Sequence, residues 1–115
     1  MADSWMIRGS RWPDVGIYMD TISVPLVYKQ PGEVRTAVFD FVDKLATDDT
    51  LTGSPTMVYP SGITESASAR SGNRVTSRMS GGTAETIYRI ACQCATTNGD
   101  TLELDLDVYV KTDVN

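Results

Sequence analysis

Near its end the chain alternates apolar and polar side chains for nine positions, Leu102-Glu103-Leu104-Asp105-Leu106-Asp107-Val108-Tyr109-Val110. A period of two places Leu102, Leu104, Leu106, Val108 and Val110 on the buried face of a strand. Glu103, Asp105 and Asp107 then share the wet face. Upstream, Thr83 to Cys94 reads as a second strand running into Thr96-Thr97-Asn98-Gly99-Asp100, a turn built around Asn-Gly. Together they predict the closing hairpin of an antiparallel β domain, and nothing in that hairpin resembles an active site.

The rest of the chain repeats the theme in shorter pieces. Pro31-Gly32 is a turn, and Glu33 to Phe41 follows as a strand. Arg35, Ala37, Phe39 and Phe41 lie on one of its faces, and Val34, Thr36, Val38 and Asp40 on the other. Both faces are partly apolar, so its register is ambiguous. Phe41 to Ala46 has the character of a single helical turn ending at Asp48-Asp49-Thr50. Leu51 to Tyr59 is a strand weakened by Gly53 and Pro55. A short strand around Ile63 to Ala69 and another from Asn73 to Met79 complete the middle, with Arg74, Thr76 and Arg78 facing water. Turn signals recur every ten or so residues and no long amphipathic helix intervenes, which is the pattern of a small β-sandwich.

Residues 1–27 differ from this frame and are read as an extended arm preceding a sandwich over 28–115. Val15 to Met19 and Thr21 to Tyr28 have strand character, but Gly16 and Pro25 interrupt them, and Pro25 excludes a central strand. Both tryptophans, Trp5 and Trp12, fall in this stretch beside Met6, Ile7, Arg8 and Arg11. That is the composition of interface anchors. Either the arm docks on a partner through these six residues, or it folds back over its own sandwich.

Composition narrows the function. At 115 residues the chain is one domain, large enough to fold without staples. Fifteen acidic against ten basic residues leave a net charge of −5, which argues against nucleic acid as a partner. Histidine is absent, and with it the usual general base and commonest metal ligand. No nucleophile–base pair can be assembled, and Lys29, Lys44 and Lys111 are placed at strand ends or in the helical turn. Cys92 and Cys94 lie at i and i+2 of a strand, about 6.6 Å apart, too far for a disulfide. They read as free, buried thiols of a protein made in a reducing cytosol. Asp40, Asp43, Asp48 and Asp49 cluster, but their spacing does not fit a calcium loop. No catalytic, cofactor or metal site is expected, and no stretch reads as a signal peptide or a transmembrane helix.

The order of segments resembles a family of small immunoglobulin-like virion proteins of tailed bacteriophages, the fiber–tail adaptors. The resemblance rests on Lys29-Gln30-Pro31-Gly32-Glu33-Val34, Phe39-Asp40-Phe41 with Leu45-Ala46, and Asp48-Asp49-Thr50-Leu51. It continues in Ser80-Gly81-Gly82-Thr83 with Tyr88, and in Thr96-Thr97-Asn98-Gly99-Asp100. It covers about residues 28 to 111. Tyr88 also suits a tyrosine corner, whose hydroxyl bonds upstream backbone. The resemblance implies an immunoglobulin-like sandwich and a non-enzymatic part of the virion tail. Its partners would be tail and fiber subunits, with several copies in a ring. Residues 1–27 have no counterpart in it. A capsid decoration or head-completion protein is the first alternative. A carbohydrate-binding module is the second, with Tyr59 and Tyr109 as its aromatic candidates.

Overall fold

The computed structural model describes residues 5–8 and 24–112. Eight strands follow one another: β1 (Trp5–Arg8), β2 (Leu26–Lys29), β3 (Arg35–Asp40), β4 (Leu51–Val58), β5 (Ile63–Ser71), β6 (Arg74–Gly81), β7 (Thr86–Thr96) and β8 (Thr101–Val110). A 3-10 turn, Val42–Lys44, lies between β3 and β4. The strands form two four-stranded sheets, β1-β3-β6-β5 and β2-β8-β7-β4, packed as an all-β sandwich.

The alternation in β8 sets the core. Leu104, Leu106, Val108 and Val110 are buried, and across the β7–β8 hairpin they stand opposite buried Cys92, Ile90 and Tyr88 together with Thr86. The first sheet contributes Ile7, Ala37, Phe39, Val75 and Met79 to the same cluster. The ambiguous strand is thereby resolved: Ala37, Phe39 and Phe41 go inward, because they fill the layer above β7 and β8. Asp40 ends the strand. Its Oδ1 accepts the Val42 N–H at 3.1 Å, turning the chain into the 3-10 turn that carries it to the other sheet.

Gly53 and Pro55 weaken β4 as expected, but they do not end it. The β4–β7 register shifts between Thr52 and Thr56, and Gly53 takes φ +75° there, which a residue without Cβ adopts readily. The expected acidic cluster is divided between tasks. Asp49 is buried, and its Oδ1 accepts the Thr97 hydroxyl at 2.7 Å, the Thr50 N–H at 2.9 Å and the Asn98 N–H at 3.0 Å. Burial alone would raise its pKa. Hydrogen bonds from Thr97, Thr96, Asn98 and Thr50 outweigh that and hold it below the ordinary value. The β7–β8 turn is thus pinned to the start of β4.

The start of the chain departs from the expectation of a separate arm. Trp5–Arg8 is a strand of the first sheet, parallel to β3, with Ile7 opposite Phe39 and only 1% exposed. The boundary expected at 27/28 falls inside β2, which runs parallel to β8 at the edge of the second sheet. Pro25 stands just before that edge strand, its carbonyl accepting the Asp107 N–H at 2.9 Å. Each of these edge strands has four residues and buries few side chains, too few for a period to be visible in sequence. The strand character read at Val15 to Met19 lies outside the described residues.

Two measurements check this core. Ile7→Ala should cost about 2–4 kcal/mol in urea unfolding, as for a buried aliphatic side chain, and a near-neutral result would detach β1 from the sandwich. Cys92 and Cys94 are free and buried, and burial pushes the Cys92 thiol up to about 12. Thiol labelling should therefore be slow in the native protein and fast in denaturant, with the melting temperature indifferent to reductant.

Candidate interaction surface

Among the described residues, the outer face of the second sheet carries the largest run of exposed apolar side chains that the pairing brings together. Tyr28, Tyr109 and Ile87 form one row across β2, β8 and β7. Leu26, Asp107 and Arg89 form the next. Asp105, Ala91 and Val58 follow, and then Glu103, Gln93 and Thr56. Leu26, Tyr28, Ile87 and Val58 are all exposed. Single exposed apolar residues are ordinary, whereas a contiguous patch edged by charge marks a docking surface.

This face is held in place by its own contacts. The Tyr28 and Tyr109 rings lie 5.7 Å apart, tilted by 45°. Lys111 sits 5.4 Å above the Tyr109 ring, and the Tyr109 hydroxyl donates to Glu85 Oε1 at 3.0 Å. Arg89 grips Asp107 through both its oxygens, at 2.6 and 3.0 Å. Gln93 Nε2 donates to Glu103 Oε1 at 2.8 Å. Asp105 lies between Glu103 and Asp107 along the outer face of β8. Its Oδ1 is buried with no hydrogen-bond partner among the described residues. Burial first, then Glu103, push its carboxyl up to about 6. Glu103 moves the other way, held down first by its hydrogen bond with Asp105 and then by Gln93.

The outer face of the first sheet has the opposite charge. Arg8, Asp40, Arg74 and Ser71 form one row across β1, β3, β6 and β5. Asp40 Oδ2 lies 3.7 Å from Arg8 Nε and 3.3 Å from Arg74 Nε. Met6, Val38, Thr76 and Ala69 make the next row, and Thr36, Arg78 and Ala67 the one after it.

Of the six residues expected to anchor a partner, the four that are described do not share one surface. Met6 and Arg8 point out from the first sheet, while Ile7 points into the core, because a strand sends neighbours to opposite faces. Trp5 is half-buried at the margin of the core, with the Arg35 guanidinium 5.1 Å from its ring centroid. Arg11 and Trp12 lie outside the described residues. Of the aromatic candidates for sugar binding, Tyr109 is on the outer face. Tyr59 packs against the core and shares a 2.7 Å hydrogen bond with buried Ser77.

Lys29 ends β2, as expected of a residue at a strand end, but it is fully buried there, and Nζ donates to the carbonyls of Gly81 at 2.6 Å, Gln30 at 2.9 Å and Pro31 at 3.4 Å. Burial lowers its pKa, with Glu33 and Tyr88 acting against that. The one sequence cue was the adjoining Pro31-Gly32 turn, whose carbonyls have no ladder partner. Beside it the Tyr88 hydroxyl accepts the Thr83 N–H at 2.8 Å, the upstream backbone bond expected of it. A side chain at Gly82 would meet Val110 Cγ2 at 2.6 Å, so that turn has room only for glycine. Among the described residues no cluster of acidic or thiol side chains is placed to hold a metal ion. No helix there is long and apolar enough to cross a membrane.

A family model described as podophage GP4 fiber-tail adaptor protein gp77 matches residues 29–109. The match runs from the last residue of β2 almost to the end of β8, so it covers the sandwich and leaves out β1. No curated protein matches the chain.

The raised Asp105 carboxyl gives this face a pH signature. In the folded chain it binds its proton more tightly than the ordinary 3.8, so folding takes up a proton between about pH 4 and 6. Its stabilising contribution is present below pH 4 and is lost as pH rises through 6. Asp105→Asn should therefore gain stability over the wild type as pH rises, with the higher melting temperature at pH 7.5. A difference that is flat from pH 4 to 7.5 would contradict the assignment.

Proposed function

Because the chain belongs to the podophage fiber–tail adaptor family, we propose that it is a structural part of the virion that joins fibers or another appendage to the tail. The observation that carries this reading is the family match over the whole of the β3–β7 sandwich frame. In this reading the function lies in surfaces and needs no catalytic group. Several copies stand around the tail axis, and the Leu26, Tyr28, Tyr109 and Ile87 patch on the second sheet is a docking surface. Arg11 and Trp12, in the stretch between β1 and β2, make a second contact with tail or fiber subunits, while Met6 and Arg8 on the first sheet face a neighbouring subunit. The sandwich is of the immunoglobulin-like kind. The antiparallel order β3-β6-β5 supports this, since it follows the B-E-D strands of that fold, as does the Tyr88 hydroxyl bond.

Purified particles test the proposal. The protein should co-purify with tails in a small fixed copy number, whereas a decoration protein would follow the capsid in far larger number. Ile87→Asp combined with Tyr28→Asp should leave the unfolding free energy within about 1 kcal/mol of wild type, since both side chains are exposed, yet exclude the chain from particles. Normal incorporation of that variant would remove the patch from the docking role.

A further inference from the structure

We propose that copies of this chain bind one another face to face, the basic outer face of the first sheet of one copy seated on the acidic outer face of the second sheet of the next. The proposal rests on the adaptor reading only for its setting in a ring. The contact itself is argued from the two faces.

The outer face of the first sheet carries three guanidiniums, Arg8, Arg74 and Arg78, and one carboxylate, Asp40, which pairs with the first two. The outer face of the second carries three carboxylates, Glu103, Asp105 and Asp107, and one guanidinium, Arg89, which pairs with Asp107. Lys44 borders the Glu103 end. The faces are thus close to opposite in charge, and they lie on opposite sides of one sandwich. The spacings also agree. Arg74 and Arg78 are four residues apart on β6, and Glu103 and Asp107 are four apart on β8, about 13 Å in each case. Each face has apolar area beside its charges: Met6 and Val38 on the first, Ala91 and Val58 on the second.

Such a contact joins different surfaces of identical subunits. It is head-to-tail, and it closes into a ring when the rotation per step divides a full turn. The net charge of −5 opposes random association, while the local match selects one orientation.

Charge reversal in the full-length chain tests it, read by sedimentation velocity at low and high ionic strength and high protein concentration. The wild type should self-associate, and more strongly at low ionic strength. Arg78→Glu or Glu103→Arg alone should weaken association about tenfold or more, since each places like charges together. The double variant, or an equimolar mixture of the two singles, should recover it. Thermal melts control for folding, and both side chains are exposed. A wild type that remains monomeric, single variants that associate like wild type, or a double variant without recovery would each overturn the contact. Particle incorporation separates this from the adaptor reading. Singles that associate like wild type while the wild-type chain enters particles sink the face-to-face contact alone. A wild-type chain absent from particles sinks the adaptor reading alone.

Discussion

The structure depends on one constraint, the strict alternation of β8 against β7. Once Leu104, Leu106, Val108 and Val110 are buried, the residues between them have one place to go. Glu103, Asp105 and Asp107 are then held about 7 Å apart on a single strand, closer than free carboxylates would settle. The raised pKa of Asp105 and the grip of Arg89 on Asp107 follow from the same alternation that builds the core. Hydrophobic burial stabilises the register, and the acidic face is its electrostatic cost. One slip of register would expose four aliphatic side chains and bury the carboxylates, so the alternative is excluded by far more than the repulsion it would relieve.

Burial between the sheets does not organise their ends, where backbone groups leave the ladders. There the chain uses single polar side chains with several partners each. Lys29 closes one end by collecting the carbonyls of Gln30, Pro31 and Gly81, which join β2 to β6 across the sandwich. Asp49 serves the β7–β8 turn, gathering donors from Thr50, Thr97 and Asn98. One charged group with three hydrogen bonds is stable under cover, where the same group unpaired would not be.

What was legible in the sequence follows from which forces leave a period. The β7–β8 hairpin, the free thiols, the 3-10 turn after β3 and the exposed side of β6 were readable, because each rests on alternation or turn chemistry within a few residues. The roles of Ile7 and Lys29 were not. β1 and β2 are four residues long and pair in parallel with strands far away in sequence, so their partners are set by the finished sheets. A lysine looks solvated wherever it stands, and only the convergence of three carbonyls from two turns makes a buried site for it. The interaction surface was half legible. Its acidic row stood out, but the Leu26, Tyr28, Tyr109 and Ile87 patch draws on three strands and exists only after they pair.

The same topology bears on why contacts should form through faces and not edges. A sandwich with two open sheets has four edge strands, and each is a template for unwanted strand addition. Here β1 and β2 offer only four residues each. The pairing of β4 is broken by the register shift between Thr52 and Thr56, and that of β5 by one between Glu65 and Ala67. Arg70 then crosses from β5 to β4, its Nε donating to the Gly53 carbonyl at 2.7 Å, so that part of the free β4 edge is occupied by a charged side chain. Short, bulged and charged edges disfavour chain addition through backbone ladders. The outer faces, with their opposite charges and apolar strips, are left as the surfaces on which specific and reversible assembly can be built.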